Sequence, residues 1–438
     1  MAGAFNFRAG RCVKQWWHRS FIILEFMRSP VVLWLVLALV VLAEWYGYQA
    51  TRTLAQHLSA SARRGAAVGY WLLTLVVWGL AFWAGSTRQM GNTVLKSYLM
   101  SLPVLLLAAK LVILMPLLLE DLTRLGRWAL GSATRPAGTD SPAIPRSEFI
   151  AKLAFGLGAI PFFALLWGMV KGGTDYTVRR VTLHYPNLPP AFDGFKVLQI
   201  SDLHTGSFNS TEPLQRAVAM INQQGADLIL MTGDLVNNRA TEVEPHMPTL
   251  AQIKSELPIF SSLGNHDYGD YVPWESPAEK QANLQRLMQN HAKMGWTLLN
   301  DTSQTITRGT DKIAVLGVQN WSSHANFPKH GNLPQAHAAS GDAPFKILLS
   351  HDPSHWEAQV LNYPDIDLTL SGHTHGMQFG VNLPFMKWSP VSYVYKQWAG
   401  LYEQGRQKLY VNVGLGYLGY PGRVGFLPEI TVFELRRA

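Results

Sequence analysis

Four apolar runs, Val31 to Tyr48, Ala66 to Gly85, Ser97 to Leu119 and Ile150 to Val170, constrain this 438-residue chain more than any other feature. Each is about as long as the roughly 20 residues a helix needs to cross a hydrocarbon core. They predict four transmembrane helices (31–48, 66–85, 97–119 and 150–170) within a region spanning residues 1–172. Tryptophans inside the runs, among them Trp45 and Trp83 near run ends, suit the membrane interface. A cleaved signal sequence is the weaker reading, because the first run starts late and three more follow it. The overall content, 48% hydrophobic and 15% charged, is unusual for a soluble chain. That excess sits before residue 172.

The formal charge of +8 raises the question of nucleic acid. The basic residues are dispersed, however, and many flank the apolar runs, so membrane flanking explains them and no nucleic-acid partner is predicted. The single cysteine, Cys12, excludes an intramolecular disulfide framework and a cysteine metal cage. Lys110 lies inside the third run, where an ion needs a partner or a route to the headgroups. Pairing with backbone or a neighbouring helix is one reading, a functional role another. Glu44 and Lys152 lie close enough to run ends to be expected in water. Four crossings put ten basic residues on the side of both termini (Arg8, Arg11, Lys14, Arg19, Arg28, Arg88, Lys96, Lys171, Arg179, Arg180) against seven on the other. The expectation is a multi-pass protein whose C-terminal domain faces the cytoplasm. Ser132 to Pro145, rich in Pro, Gly, Ser and Thr, reads as a loop between the third and fourth helices.

From about Asp175 the pattern changes. Phe195 to Ile200, Leu228 to Thr232, Ile259 to Leu263, Ile313 to Val318, Phe345 to Leu349, Ile366 to Leu370 and Leu409 to Val413 read as buried strands. Pro213 to Gln224 and Ala278 to Gly295 read as helices, the first with Ser210 and Thr211 as candidate caps. Layered α/β architecture follows. Five strand ends then deliver polar groups: Asp202 and His204; Asp234; Asn265, His266 and Asp267; His351 and Asp352; His373 and His375. Sites in open α/β sheets form outside the carboxyl ends of strands, so these groups can converge on one cleft. Taken singly, such clusters are ordinary turn residues. A period of two would send His373 and His375 off the end of their strand on one side.

Oxygen and imidazole ligands without thiols suit Mn, Fe, Zn or similar divalent ions. Two such ions sharing a carboxylate polarise a phosphoryl group and turn a bridging water into hydroxide, so phosphoester hydrolysis is the chemistry expected.

The series Asp-x-His, Gly-Asp, Gly-Asn-His-Asp, Ser-His-Asp-Pro and Gly-His-Thr-His-Gly, in this order, closely resembles the calcineurin-like metallophosphoesterase superfamily. The type it is similar to is the membrane-anchored one, a transmembrane protein with a metallophosphoesterase domain. The resemblance covers about residues 175–438, including Gly414-Leu415-Gly416 through Arg423 to Pro428-Glu429-Ile430. It implies an α/β sandwich of two mixed sheets flanked by helices, with a dinuclear metal site. It also implies that Asp202, His204 and His375 hold one metal and Asn265, His351 and His373 the other, with Asp234 bridging. His266 is then the general acid or phosphate-contacting group and Asp267 the residue that orients its ring, with manganese favoured over iron and zinc. Asp352 reads as a turn or supporting residue rather than a ligand. One departure is Met377, which stands where such proteins often have a second glycine.

The tether to the bilayer favours a lipid or lipid-linked phosphoester or pyrophosphate as substrate. A soluble phosphoester and a non-catalytic metal-binding module are the alternatives, the last disfavoured because all the expected ligands are present. The aromatic segment Leu383 to Tyr402 reads either as a cover that dips into the headgroups or as a core loop beneath the final strands.

Overall fold

The computed structural model describes residues 30–87, 93–133 and 146–438. Cys12, the basic residues Arg8, Arg11, Lys14, Arg19, Arg28, Arg88 and Arg135, and most of the loop expected at Ser132 to Pro145 lie outside the described residues; Ser132 and Ala133 still belong to a helix. The chain divides into two compact units: residues up to Trp83 with Leu102–Phe163, and Ala84–Ser101 with Ala164–Ala438.

Four long helices, α1 (Pro30–Leu54), α2 (Ala60–Ser86), α3 (Thr93–Ala133) and α4 (Glu148–Val170), carry the four apolar runs. All four are long and apolar enough to cross a membrane, and side chains such as Leu75, Phe82 and Val170 are largely exposed, as lipid-facing groups would be. Each helix outruns its apolar run, because backbone hydrogen bonding continues wherever propensity allows, whatever the polarity. The extreme is α3, whose 41 residues span about 60 Å. Its polar extension carries Asp121, which pairs with Arg146 at 2.6 Å, and Glu120, which accepts the Ser147 N–H at 2.5 Å. Glu44 does not reach water. It is buried, and its carboxylate meets Lys110 Nζ at 2.5 Å and accepts from Tyr70, Thr74 and Trp78 at 3.1 Å each. Of the readings open for Lys110, pairing across helices is the one observed. Lys152 is exposed as expected and pairs with Glu148.

The second unit is a sandwich of two six-stranded mixed sheets. In the first, β1 (Thr177–Tyr185), β14 (Glu429–Arg437), β2 (Lys196–Ile200), β3 (Leu228–Thr232), β4 (Ile259–Ser262) and β5 (Trp296–Leu298) lie in that order. The second runs β12 (Gly400–Gln404), β13 (Gln407–Val411), β9 (Leu368–Ser371), β8 (Lys346–Leu349), β7 (Asp311–Gly317) and β6 (Thr302–Arg308). A small hairpin, β10 (Val381–Leu383) with β11 (Met386–Trp388), stands apart. All seven expected strands are present, and the two expected helices appear as α5 (Glu212–Asn222) and α6 (Pro277–Lys293). Thr211 occupies the cap position of α5 but makes no side-chain cap bond.

The strand sequence explains the layering. Along β3, Leu228 and Leu230 enter the core between the sheets, while Ile229 and Met231 face the helix layer with Ala217, Val218 and Ile221 of α5. Along β7, Ile313 and Val315 join the same central core, while Ala314 and Leu316 pack outward with Leu333 and Trp356. Both faces of the central strands are buried, so apolar residues run on without alternation. The parallel strands β2, β3 and β4 of one sheet and β8 and β9 of the other end in the five polar clusters.

Candidate metal centre

The five strand-end clusters meet. Asp202, His204 and His375 form one buried group and Asp234, His351 and His373 another, the ligand atoms within each lying within 4.8 Å of one another. Asp234 stands between them, its Oδ2 lying 3.1 Å from His351 Nε2 and 3.7 Å from His204 Nε2. His375 Nε2 is 3.1 Å from Asp202 Oδ1 and 3.0 Å from His204 Nε2. Asn265 turns its Oδ1 to His373 Nδ1 at 2.7 Å, while its Nδ2 donates to the Tyr271 hydroxyl.

The convergence of His373 and His375 does not come from an extended backbone. Both are left-handed, with φ of 72° and 52°, and Asp202, His204 and Asp234 share that conformation. Left-handed backbone at non-glycine residues costs of order 1 kcal/mol or more and concentrates at functional sites. Gly372 is required for closeness: a Cβ there would stand 2.1 Å from Asp202 Oδ2. Met377, the departure noted in the sequence, is also left-handed at φ 53°, and its half-exposed side chain lines the cleft.

Each imidazole is aimed by the partner of its other nitrogen. His351 Nδ1 donates to Thr232 O at 2.7 Å, and His204 Nδ1 faces Asn237 Oδ1 at 3.1 Å. His373 Nε2 meets the Tyr395 hydroxyl at 2.8 Å, which donates onward to Asp352. Such outer contacts fix which nitrogen is free to ligate. Asp352 also accepts the Ser354 N–H, so it is both turn and support. His375 differs, because its Nδ1 lies 3.0 Å from Nη2 of Arg423, a fully buried guanidinium. Arg423 can only donate, so the far nitrogen of His375 accepts where those of His351 and His204 donate.

One expected role moves. Asp267 does not orient the His266 ring; its carboxylate accepts the backbone N–H groups of Asp234, Leu235, Val236 and Gly264 and so ties two strand ends together. Four converging donors outbid one imidazole. His266 is instead held by its Nδ1, which donates to Asn237 O at 2.8 Å, and by its backbone N–H on Asp234 Oδ1. Asn237, Tyr395 and Tyr271 were not read as site residues. Asn237 and Tyr271 stand three and four residues beyond the clusters that open their loops and Tyr395 lies in the aromatic segment, so position just after a strand could not find them.

The electrostatics follow from burial. It would depress His351, but the Asp234 and Asp202 carboxylates raise that imidazole to about 10. Burial lowers His373 to about 4, and with neighbouring His375 it keeps His204 well below the ordinary imidazole value. Burial and the Asp234 charge push Asp267 up to about 7, against the pull of its N–H donors. His351 Nε2 is buried without a hydrogen-bond partner, and two imidazole Nε2 atoms face each other at 3.0 Å. Imidazoles, carboxylates and an amide oxygen without a thiol, their ligand atoms gathered within reach of one another, suit divalent ions, and binding them releases the protons the imidazoles carry.

The sequence comparisons agree with this chemistry. Residues 27–173 match the family described as "Probable Calcineurin-like phosphoesterase, transmembrane domain", and residues 195–377 match "Calcineurin-like phosphoesterase". The chain is 33% identical over 292 residues to the metallophosphoesterase YkuE of Bacillus subtilis, covering 63% of this chain and 94% of that protein. A transmembrane protein with metallophosphoesterase domain from Danio rerio is 28% identical over 280 residues, which is 62% of this chain and 60% of the relative. Phosphodiesterase YaeI of Escherichia coli is 27% identical over 299 residues, 67% of this chain and 99% of that protein. With four membrane-spanning helices ahead of an α/β sandwich that gathers two groups of metal ligands, the chain belongs to the calcineurin-like metallophosphoesterases and is a membrane-anchored enzyme dependent on divalent metal ions.

Proposed function

We propose that this enzyme hydrolyses the phosphoester or pyrophosphate bond of a lipid or lipid-linked substrate. The observation that carries the reading is the wall of the cleft. A cavity of about 290 Å³ is lined by Asp234, Asn265, His266, His373 and His375 together with Phe327, Met377, Val391, Val394, Tyr395 and Leu418. Ligand groups and apolar side chains lining one cavity suit a phosphate attached to an apolar body. Asp202, His204 and His375 would hold one cation and Asn265, His351 and His373 the second, with Asp234 touching both. Bound there, the pair would polarise the phosphoryl group and activate water. His266 borders the cleft with its Nδ1–H on Asn237 O. With Nδ1 held on that carbonyl, Nε2 is the nitrogen left to pass a proton to the departing oxygen. Asp267 keeps the strand ends carrying Asp234 and Asn265 in register. Manganese is the favoured metal, and the basic residues flanking the helices favour a cytoplasmic catalytic domain.

The test is turnover by full-length protein in nanodiscs, supplied with Mn, Fe or Zn separately. Phospholipids and nucleotide-linked lipids are compared with small soluble phosphodiesters. Preference for the lipid substrates supports the reading, and turnover of soluble esters alone overturns it. Labelling of Cys12 by an impermeant thiol reagent outside intact cells would reverse the orientation.

A further inference from the structure

The segment expected either to cover the site or to fill the core divides between those readings. Val391, Tyr395 and Trp398 are buried in a small core with Val413 and Phe426. The hairpin β10–β11 and the turn after it are turned outward instead: Phe385 is 84% exposed and Tyr393 80%, with Leu383, Met386 and Val394 also exposed. The run from Phe379 to Tyr395 contains no acidic residue. Its one lysine, Lys387, is exposed along its stem but engages its ammonium, donating to Ala399 O at 2.5 Å over the Trp398 ring. Trp388 Nε1 donates to the Tyr393 hydroxyl at the surface, and both are amphipathic rings of the kind enriched at membrane interfaces.

The hairpin is also tied to the place where α4 ends. Leu165 O and Gly168 O, in the last turns of α4, accept from the Tyr420 hydroxyl and the Arg423 N–H. Contact there is close, since a Cβ on Gly172 would stand 2.2 Å from Arg423 O. The same loop then pairs with the root of the hairpin: Val424 N donates to Gln378 O, and Gly380 N donates to Val424 O. Three residues per strand place the tip about 10 Å from that root. Interfacial elements bury their apolar face about 5–10 Å deep, so the reach is sufficient.

We infer that the β10–β11 hairpin, with Phe385 at its tip and Tyr393 beside it, inserts into the same bilayer that α4 leaves, and presents lipid to the cleft. Val394 and Met377 belong both to the exposed patch and to the wall of the cleft, making an apolar path from one to the other. The insertion stands on the hairpin alone; the delivery role rests on the lipid-substrate reading.

The test uses full-length protein in phosphatidylcholine nanodiscs. A bimane is attached at Phe385→Cys in a Cys12→Ser background, with Asp342→Cys as control on an exposed loop before β8. Shallow doxyl-labelled lipid is expected to quench the label at 385 and not at 342; equal quenching at both overturns the insertion. The double variant Phe385→Asp, Tyr393→Asp is expected to lose about tenfold or more on lipid phosphoesters while keeping its rate on a small soluble phosphodiester. Equal loss on both substrates, or on neither, overturns the delivery role. Quenching at 385 without any lipid hydrolysis sinks the lipid-substrate reading and leaves the insertion standing.

Discussion

Two of the places where the chain buries charge are built differently. Between the membrane helices, the Glu44 carboxylate has four donors, Lys110, Tyr70, Thr74 and Trp78, so charge and lone pairs are all satisfied within the protein. At the strand ends, carboxylates and imidazoles crowd together, His204 and His375 approach Nε2 to Nε2, and His351 Nε2 has no hydrogen-bond partner. The first cluster is closed and reads as structure. The second gathers the ligand atoms of two groups within reach of one another, an arrangement that suits divalent ions. Burial of polar groups therefore says little about function until their partners have been counted.

The strongest way to break that contrast is Asp234→Asn. One carboxylate oxygen faces both ligand groups, so bound metal measured by elemental analysis and turnover should fall together, turnover to background. Unchanged metal content would show that Asp234 does not join the two groups. His266→Ala should cost about 10²–10⁴-fold in turnover with metal retained, the usual scale of acid catalysis. Loss of metal in that variant would make His266 a ligand.

The closed cluster should respond in stability rather than in chemistry. Glu44→Gln or Lys110→Met alone leaves a buried ion unpaired and should cost about 3–5 kcal/mol in thermal unfolding, whereas the double variant should cost less than either. Turnover per folded molecule should hold; a drop in it would give the membrane pair a catalytic part. His291 sharpens the point from the catalytic unit, because it is buried without the carboxylates that raise His351. Burial lowers it from 6.5 to about 4. The unfolded chain therefore takes up the proton first as pH falls, so stability is full above about 6.5 and declines by about 3 kcal/mol on the way down to 4. His291→Gln should flatten that acid limb in denaturant unfolding; an unchanged limb would place the acid sensitivity elsewhere. The smallest effect is expected from Arg423→Gln, about 10–100-fold weaker binding at one of the two cations, as for other groups that hold a ligand by its far side. Titration with metal should then show two unequal sites, and an equal loss at both would rule out a role specific to His375.

Much of the fold was legible because the central strands are buried on both faces. Leu228 to Thr232 is apolar without interruption, and its range was read as it stands in the structure. The edge strand β1 was not read, since its pattern of partly exposed residues, with Arg179 and Arg180 in the middle, carries no such run. The ligand series was legible for a related reason: strands that end together must place their next residues together. What those residues touch was not legible. Asp267 follows His266 directly in the chain, yet it turns to the backbone of Asp234, and Asn237, from another loop, takes the ring.

The amino-acid sequence by itself determined four membrane-length apolar helices, a parallel-stranded core and the residues that meet at its strand ends, because these depend on local run length, polarity and order along the chain. The tertiary structure alone decided that Glu44 finds Lys110, that Arg423 stands behind His375, and that the 383–402 segment splits into a buried half and an exposed hairpin. Those outcomes depend on which groups far apart in the chain reach one another first with good geometry, and neither polarity nor periodicity encodes that choice.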